Sequence, residues 1–142
     1  MSLDDLLFIE AELVAATTPL RVDLSDIEPV TIDGSDTDLR RMLRNLVDNA
    51  SRHADSRIAL ALRHVGTDAV LIVADDGHGI DPDDRQRVFE RFARLDESRS
   101  RDDGGTGLGL SIVAQIAAAH GGQVAVVDHE LGGAAFEVRL SS

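Results

Sequence analysis

The stretch from Thr37 to Ile80 constrains the fold most: an amphipathic helical pattern, two apolar runs joined by a tight turn, then a glycine cluster. Over residues 37–53, Leu39, Leu43, Leu46, Val47 and Ala50 fall on one arc of a helical wheel. Asn45, Asn49, Arg52 and His53 fall on the opposite arc. Residues 58–65 and 69–74 are strand patterns with Gly66-Thr67-Asp68 between them, which predicts a hairpin. The second run ends in Asp75-Asp76-Gly77-His78-Gly79-Ile80. A helix with one apolar face, next to paired strands, must bury that face against them. The chain is therefore a layered α/β domain.

The flanking segments fit the same plan. Residues 3–16 have helical spacing through Leu3, Leu6, Leu7, Leu13 and Val14, and Ser2 with Asp5 resembles a capping box. Thr17-Thr18-Pro19 stops that helix, and 20–24 and 30–32 are short strand candidates with Pro29 marking an edge or bend. Asp33-Gly34-Ser35-Asp36 is a turn whose Ser35 or Asp36 caps the next helix. Residues 82–92 form a short helix at most, and 93–106 a charged loop. Residues 108–120 form a helix closed by Gly121-Gly122. A last hairpin pairs 124–128 with 135–140 and turns at Gly132-Gly133. The expected fold is a two-layer α/β (α+β) sandwich, a mixed sheet of about five strands with three helices on one face. No repeat or linker divides it, so 3–141 is read as one domain, which suits a length of 142 residues.

A net charge of −12 argues against nucleic acid as a partner, because phosphate binding needs cationic surface. No apolar run approaches a membrane span, and no signal peptide is visible. With zero cysteines there is no disulfide frame and no thiolate chemistry. The basic residues are all arginine, and Arg85, Arg87, Arg91, Arg94, Arg99 and Arg101 cluster in one segment. From charge alone this is a solvated loop balancing Asp81, Asp83, Asp84, Asp96, Asp102 and Asp103, though it can also attract a small polyanion.

Three segments carry chemistry. Glycines in two places, Asp75–Ile80 and Gly104-Gly105-Thr106-Gly107-Leu108-Gly109-Leu110, let backbone approach a ligand closely. The second leads into a helix, so its free amides and the positive end of the helix dipole can face an anion. It is not a P-loop, since no Gly-Lys-Ser/Thr follows. Asp75 at a strand end can accept a hydrogen bond from the exocyclic amine of adenine, where guanine would place an oxygen. Asn45 and Asn49 share a helix face, so their side-chain oxygens can reach one metal ion. Taken singly, each has a bland reading as a turn, a loop or a solvated helix face. Together they read as one nucleotide pocket.

Their order and spacing resemble the catalytic domains of histidine kinases. Asn45-Leu-Val-Asp-Asn49-Ala-Ser-Arg52-His53 is similar to the N box of that family and Asp75-Asp-Gly-His-Gly-Ile80 to its first glycine box. Val88-Phe89-Glu90-Arg91-Phe92 resembles its F box and Gly104–Leu110 its second glycine box, and Ser111-Ile112-Val113 and His120-Gly121-Gly122 also fit. The wider superfamily includes gyrase-type and chaperone-type ATPases. The resemblance implies a phosphotransferase, a protein histidine kinase of two-component signalling, with ATP and Mg2+ bound between the Asn45 helix and the Leu108 helix. By that resemblance Asn49 coordinates magnesium and Asn45 supports it, Arg52 and His53 reach phosphate or ribose, and Asp75 and Gly79 read adenine. Gly77, Ile80, Gly105, Thr106, Leu108 and the amides of Gly107–Gly109 complete the nucleotide contacts, and Arg94, in an arginine-rich lid of 90–106, neutralises charge on the transferred group.

Two departures sharpen this expectation. ATP-hydrolysing members of the superfamily carry a glutamate where Asn45 stands, and an amide cannot act as a general base near neutral pH. The site is thus expected to hold ATP for transfer, with Asn45 and Arg94 as its catalytic residues and hydrolysis suppressed. Such kinases also carry an acceptor histidine in a pattern like His-Glu-Leu-Arg-Thr-Pro; here His129-Glu130-Leu131 runs into Gly132-Gly133 and is read as a turn. The dimerisation domain with that histidine is therefore expected to lie outside this chain, as its partner beside a cognate response regulator. The isolated domain is expected to be a monomer, the cytoplasmic part of a membrane-anchored sensor. The other readings are a protein serine kinase of the anti-sigma-factor type and a non-catalytic ATP-binding regulator.

Overall fold

A computed structural model describes residues 2–90 and 109–141. Helix α1 (Leu3–Thr17) precedes strand β1 (Arg21–Ile27), helix α2 (Asp36–His53) and strands β2 (Arg57–Val65) and β3 (Asp68–Asp75). Two 3-10 turns, Pro82–Asp84 and Arg87–Phe89, follow; then come helix α3 (Gly109–Ala119) and strands β4 (Gln123–Val126) and β5 (Ala135–Ser141). The sheet has five strands in the order β1-β2-β3-β5-β4. β1 runs parallel to β2, and the β2–β3, β3–β5 and β4–β5 pairs are antiparallel. This is the mixed α/β sandwich that the sequence predicts. Among the described residues no helix is long and apolar enough to cross a membrane.

Alternation along the strands sends one row of side chains to the helices. Ile58, Leu60 and Leu62 of β2, Leu71 and Val73 of β3, and Phe136, Val138 and Leu140 of β5 are buried in one cluster. They meet Leu39, Met42, Leu43, Leu46, Val47 and Ala50 of α2, with Leu3, Leu7 and Val14 of α1 and Val113 and Ile116 of α3. The β2–β3 hairpin turns at Gly66-Thr67, Val65 facing Asp68, and Gly66 takes a left-handed φ of 62°. Buried Glu10 in α1 accepts a hydrogen bond from Arg44 Nε of α2 at 3.1 Å, so its charge is paired.

Helices α2 and α3 pack antiparallel, and that places the site. Ser35 caps α2, its side chain accepting from the Asp38 N–H at 3.2 Å. The Ser35 N–H in turn donates to Nε2 of His120, whose Nδ1 lies 2.8 Å from the Ile116 carbonyl, so the end of α3 is tied to the start of α2. Both helices rise about 1.5 Å per residue. Counting back from that tie brings Gly109, at the start of α3, level with Asn45 in the middle of α2.

Three local expectations fail. Residues 30–32 do not form a strand: Val30 and Ile32 are buried, and Thr31 makes a single antiparallel bridge to Ser2. The Val30 carbonyl accepts from the Leu3 N–H at 2.9 Å and the Val30 N–H donates to Asp4 Oδ1 at 3.1 Å, so the start of α1 satisfies this backbone in place of a ladder. That contact also undoes the expected capping box, because the Ser2 hydroxyl bonds Asp4 Oδ1 and makes no cap hydrogen bond. Leu13 is 47% exposed; the buried face of α1 is completed by Ala11 and Glu10 instead.

Candidate functional site

Asp75 closes β3 and is buried, 1% exposed. Its Oδ1 accepts from the Gly77 N–H at 2.9 Å and the Ala134 N–H at 3.3 Å, and its own N–H donates to the Ala134 carbonyl at 2.9 Å. Oδ2 is buried with no hydrogen-bond partner among the described residues. Burial pushes the Asp75 carboxyl above its ordinary range, against the hydrogen bonds from Gly77 and Ala134 and then the nearby His53 and His78. A buried carboxylate oxygen with nothing to accept from costs free energy unless a donor is brought to it. An amino group on a flat heterocycle is such a donor.

Glycine is required around this carboxylate on steric grounds. A Cβ on Gly133 would stand 2.5 Å from both Asp75 Oδ1 and the Gly77 nitrogen, and would also strike the Asp75 carbonyl. A Cβ on Gly77 would collide with the carbonyl of His53, so the last turn of α2 lies directly against the glycine loop. Gly79 has a φ of 79°, a left-handed turn that favours glycine, and packs on Gly132-Gly133. The His53 and His78 rings meet edge to face with centroids 5.6 Å apart. Ile80 and Phe89 are partly buried against the core, and Phe89 meets Phe136 edge to face at 5.9 Å.

Further toward the start of α2, Asn45 and Asn49 are half-buried on one face. The Asn45 Nδ2 is buried and has no hydrogen-bond partner among the described residues, and a Cβ on Gly109 would lie 4.0 Å from the Asn45 amide. An amide without a described partner, beside the first turn of α3, is suited to phosphate oxygens. The amide oxygens of Asn45 and Asn49 are the neutral hard donors that magnesium takes alongside phosphate and water. Among the described residues no cluster of histidine and acidic side chains offers an alternative metal site.

Of the site residues expected from the sequence, Asn45, Asn49, Arg52 and His53 share α2, Asp75 ends β3 with Gly77, Gly79 and Ile80 in the loop after it, and Gly109 opens α3. Arg52 is exposed in the last turn of α2. Arg94, Gly105, Thr106, Gly107 and Leu108, with most of the expected lid, lie outside the described residues. Two contributors were not expected. Gly133 and Ala134 cradle Asp75, although Gly132-Gly133 reads in the sequence only as a hairpin turn. Asp76 is not a second ligand-reading carboxylate: its Oδ1 accepts from the N–H groups of Asp55, Ser56 and Arg57 at 2.9, 3.0 and 3.0 Å, and its Oδ2 from the Ser56 hydroxyl at 2.6 Å.

Comparison with known proteins bears on the family and the fold. A family model described as histidine kinase-, DNA gyrase B-, and HSP90-like ATPase matches residues 34–142. The sensor protein RstB of Escherichia coli is 51% identical over 98 residues, which is 69% of this chain and 23% of RstB. The ATP binding domain of PrrB from Mycobacterium tuberculosis superposes with a TM-score of 0.82 at 30% identity, covering 100% of this chain and 95% of that one. The mycobacterial sensor histidine kinase MprB gives a TM-score of 0.86 at 27% identity, covering 99% and 95%. The chain spans about a quarter of the length of full-length relatives such as RstB.

Proposed function

This chain belongs to the histidine kinase-, DNA gyrase B- and HSP90-like ATPase family as a histidine-kinase-type ATP-binding catalytic domain, and from that premise we propose how it works. It binds Mg-ATP and transfers the γ-phosphoryl group to a histidine on a separate dimerisation domain, which then serves a cognate response regulator. The parent protein is a membrane-anchored sensor with this domain in the cytoplasm. The observation that carries the reading is Asp75, a buried carboxylate with one oxygen held by two backbone N–H groups and the other without a partner among the described residues.

In this reading Asp75 Oδ2 accepts from the adenine amine, and the glycine backbone at 77 and 79 lets the base approach. Asn45 Nδ2 donates to a phosphate oxygen, the first turn of α3 faces the phosphates, and Arg52 and His53 lie toward phosphate or ribose. Asn49, with Asn45 beside it, would hold a magnesium ion, which when bound neutralises phosphate charge. Transfer forms a bond from the γ-phosphorus to the acceptor nitrogen as the bond to the ADP oxygen breaks. Such a step needs positioning and charge stabilisation more than a base. An amide at position 45 in place of a carboxylate leaves water unactivated there, which favours transfer over hydrolysis.

Mixing the chain with a dimeric phosphoacceptor-histidine domain and γ-labelled ATP should give an acid-labile phosphoprotein, while the chain alone releases ADP negligibly. An acid-stable product would point to a serine kinase, and sustained ADP release by the chain alone to a hydrolase. Metal dependence gives a second check. Asn49→Ala should weaken Mg-ATP binding by about tenfold, the scale of one lost polar contact to a charged group, and leave adenosine binding within about twofold. If magnesium changes ATP affinity equally in both proteins, Asn49 is not a ligand.

A further inference from the structure

We propose that Asp76 is a positioning residue of the nucleotide site, a clamp that holds the phosphate-side end of α2 in register with the adenine-reading Asp75. Its carboxylate receives four hydrogen bonds, three from consecutive backbone N–H groups of residues 55–57 and one from the Ser56 hydroxyl. Those residues immediately follow the last turn of α2, which carries Arg52 and His53. The Asp76 N–H itself donates to the Arg57 carbonyl at 3.2 Å, so the clamp closes in both directions. The contact is tight elsewhere too, since the His53 carbonyl leaves no room for a Cβ on Gly77. The cradle of Asp75 is built from other groups, the N–H of Gly77 and of Ala134. Asp76 can therefore fail without removing the adenine acceptor. What it sets is where the end of α2 sits relative to that acceptor. The same hydrogen bonds, from the Ser56 hydroxyl first, hold the Asp76 carboxyl far below the usual carboxylate range. A depressed value means that the clamp contributes stability above the unfolded carboxylate range and loses it only in strong acid. At physiological pH the Asp76 carboxyl is ionised, the form that accepts all four hydrogen bonds.

The inference rests on the proposed nucleotide reading, and its test separates the two. Dissociation constants for ATP and for adenosine are measured by calorimetry on the 142-residue chain, its Asp76→Ala variant and its Asp76→Asn variant. Asp76→Ala should weaken ATP by about tenfold and adenosine by less than about twofold, a split that general loss of stability would not produce. Asp76→Asn keeps an acceptor oxygen for the three backbone N–H groups and should return ATP affinity to within about threefold. Hydrogen exchange at the amides of residues 55–57 should quicken in Asp76→Ala and not in Asp76→Asn. Should Asp76→Ala fail to fold, Ser56→Ala removes one of the four bonds and should show the same split on a smaller scale. An unchanged ATP-to-adenosine ratio in Asp76→Ala (or in Ser56→Ala where Asp76→Ala does not fold), or equal weakening of both ligands there, overturns the clamp. A wild-type chain that binds ATP no better than adenosine overturns the nucleotide reading itself.

Discussion

Asp75→Asn should weaken ATP binding by about 1.5–3 kcal/mol, about ten- to a hundredfold in Kd, while the folded chain becomes no less stable. The first half follows from the unpartnered Oδ2. The carboxamide keeps an oxygen for the N–H groups of Gly77 and Ala134, and then presents an amino group where an acceptor stood. Two donors would face each other at the adenine amine. A base with a carbonyl at that position suffers less, so the preference for ATP over GTP should narrow. The second half follows from the sign of the titration. Burial raises the Asp75 carboxyl above its unfolded value, so the native chain binds that proton more tightly than the unfolded chain. Stability then falls as pH rises through that window, and the ionised carboxylate remains a cost at neutral pH. The amide removes the charge penalty and leaves a neutral NH2 at the position of Oδ2, a smaller cost than an ionised oxygen there. Calorimetric titration with both nucleotides and a thermal melt at pH 7 check both halves; unchanged ATP affinity would remove Asp75 from the site.

Gly133→Ala is expected to damage stability and binding together. The added methyl has no flexible neighbour to displace, since it meets the Asp75 carboxylate and the Gly77 nitrogen at 2.5 Å. Overpacking against fixed backbone costs about 1–3 kcal/mol, and each kcal/mol lowers the melting temperature by about 3–5 °C in a domain of this size. Relief can come only by moving Asp75 or the loop after it, so ATP affinity should fall with stability. Gly132→Ala is the informative neighbour. Its φ of 85° strains any side chain, but nothing lies within 4 Å of its Cβ. It should lose about 1 kcal/mol of stability and keep ATP binding once corrected for folding. Equal binding losses in the two variants would mean that Gly133 serves only the turn.

These two glycines also mark where the sequence stopped being legible. The buried arc of α2, the β2–β3 hairpin and the position of Asp75 at a strand end are local patterns, and period and turn chemistry are enough to read them. The cradle is not local. It needs β5 beside β3, with Ala74 facing Ala135, and pairing between strands so far apart leaves no mark on either segment alone. Asp76 is hidden in another way. In the pair Asp75-Asp76 both residues suit a turn, and only the packing of α2 decides that the first is buried while the second faces residues 55–57. The failed strand at 30–32 is the converse, a β-like run whose backbone groups are taken up by a helix start 26 residues away, Asp4 to Val30. Electrostatic and hydrogen-bond competition of that kind has no periodicity to detect.

The register of β5 on β3 also makes the cradle of Asp75 depend on the last strand in the chain. The β2–β3 hairpin closes over a few residues and can form as soon as it leaves the ribosome, followed by its docking on α2. Asp75 is then already at the hairpin's end, but one of the two N–H groups that orient it belongs to Ala134, just before the strand that pairs last in chain order. A nascent chain halted before β5 would carry both asparagines, Asp76 and the first glycine loop, and still leave the Asp75 carboxylate half held. A chain that has not yet inserted β5 between β3 and β4 lacks the Ala134 N–H that helps orient Asp75, so the cradle of this carboxylate is complete only when the last strand has paired.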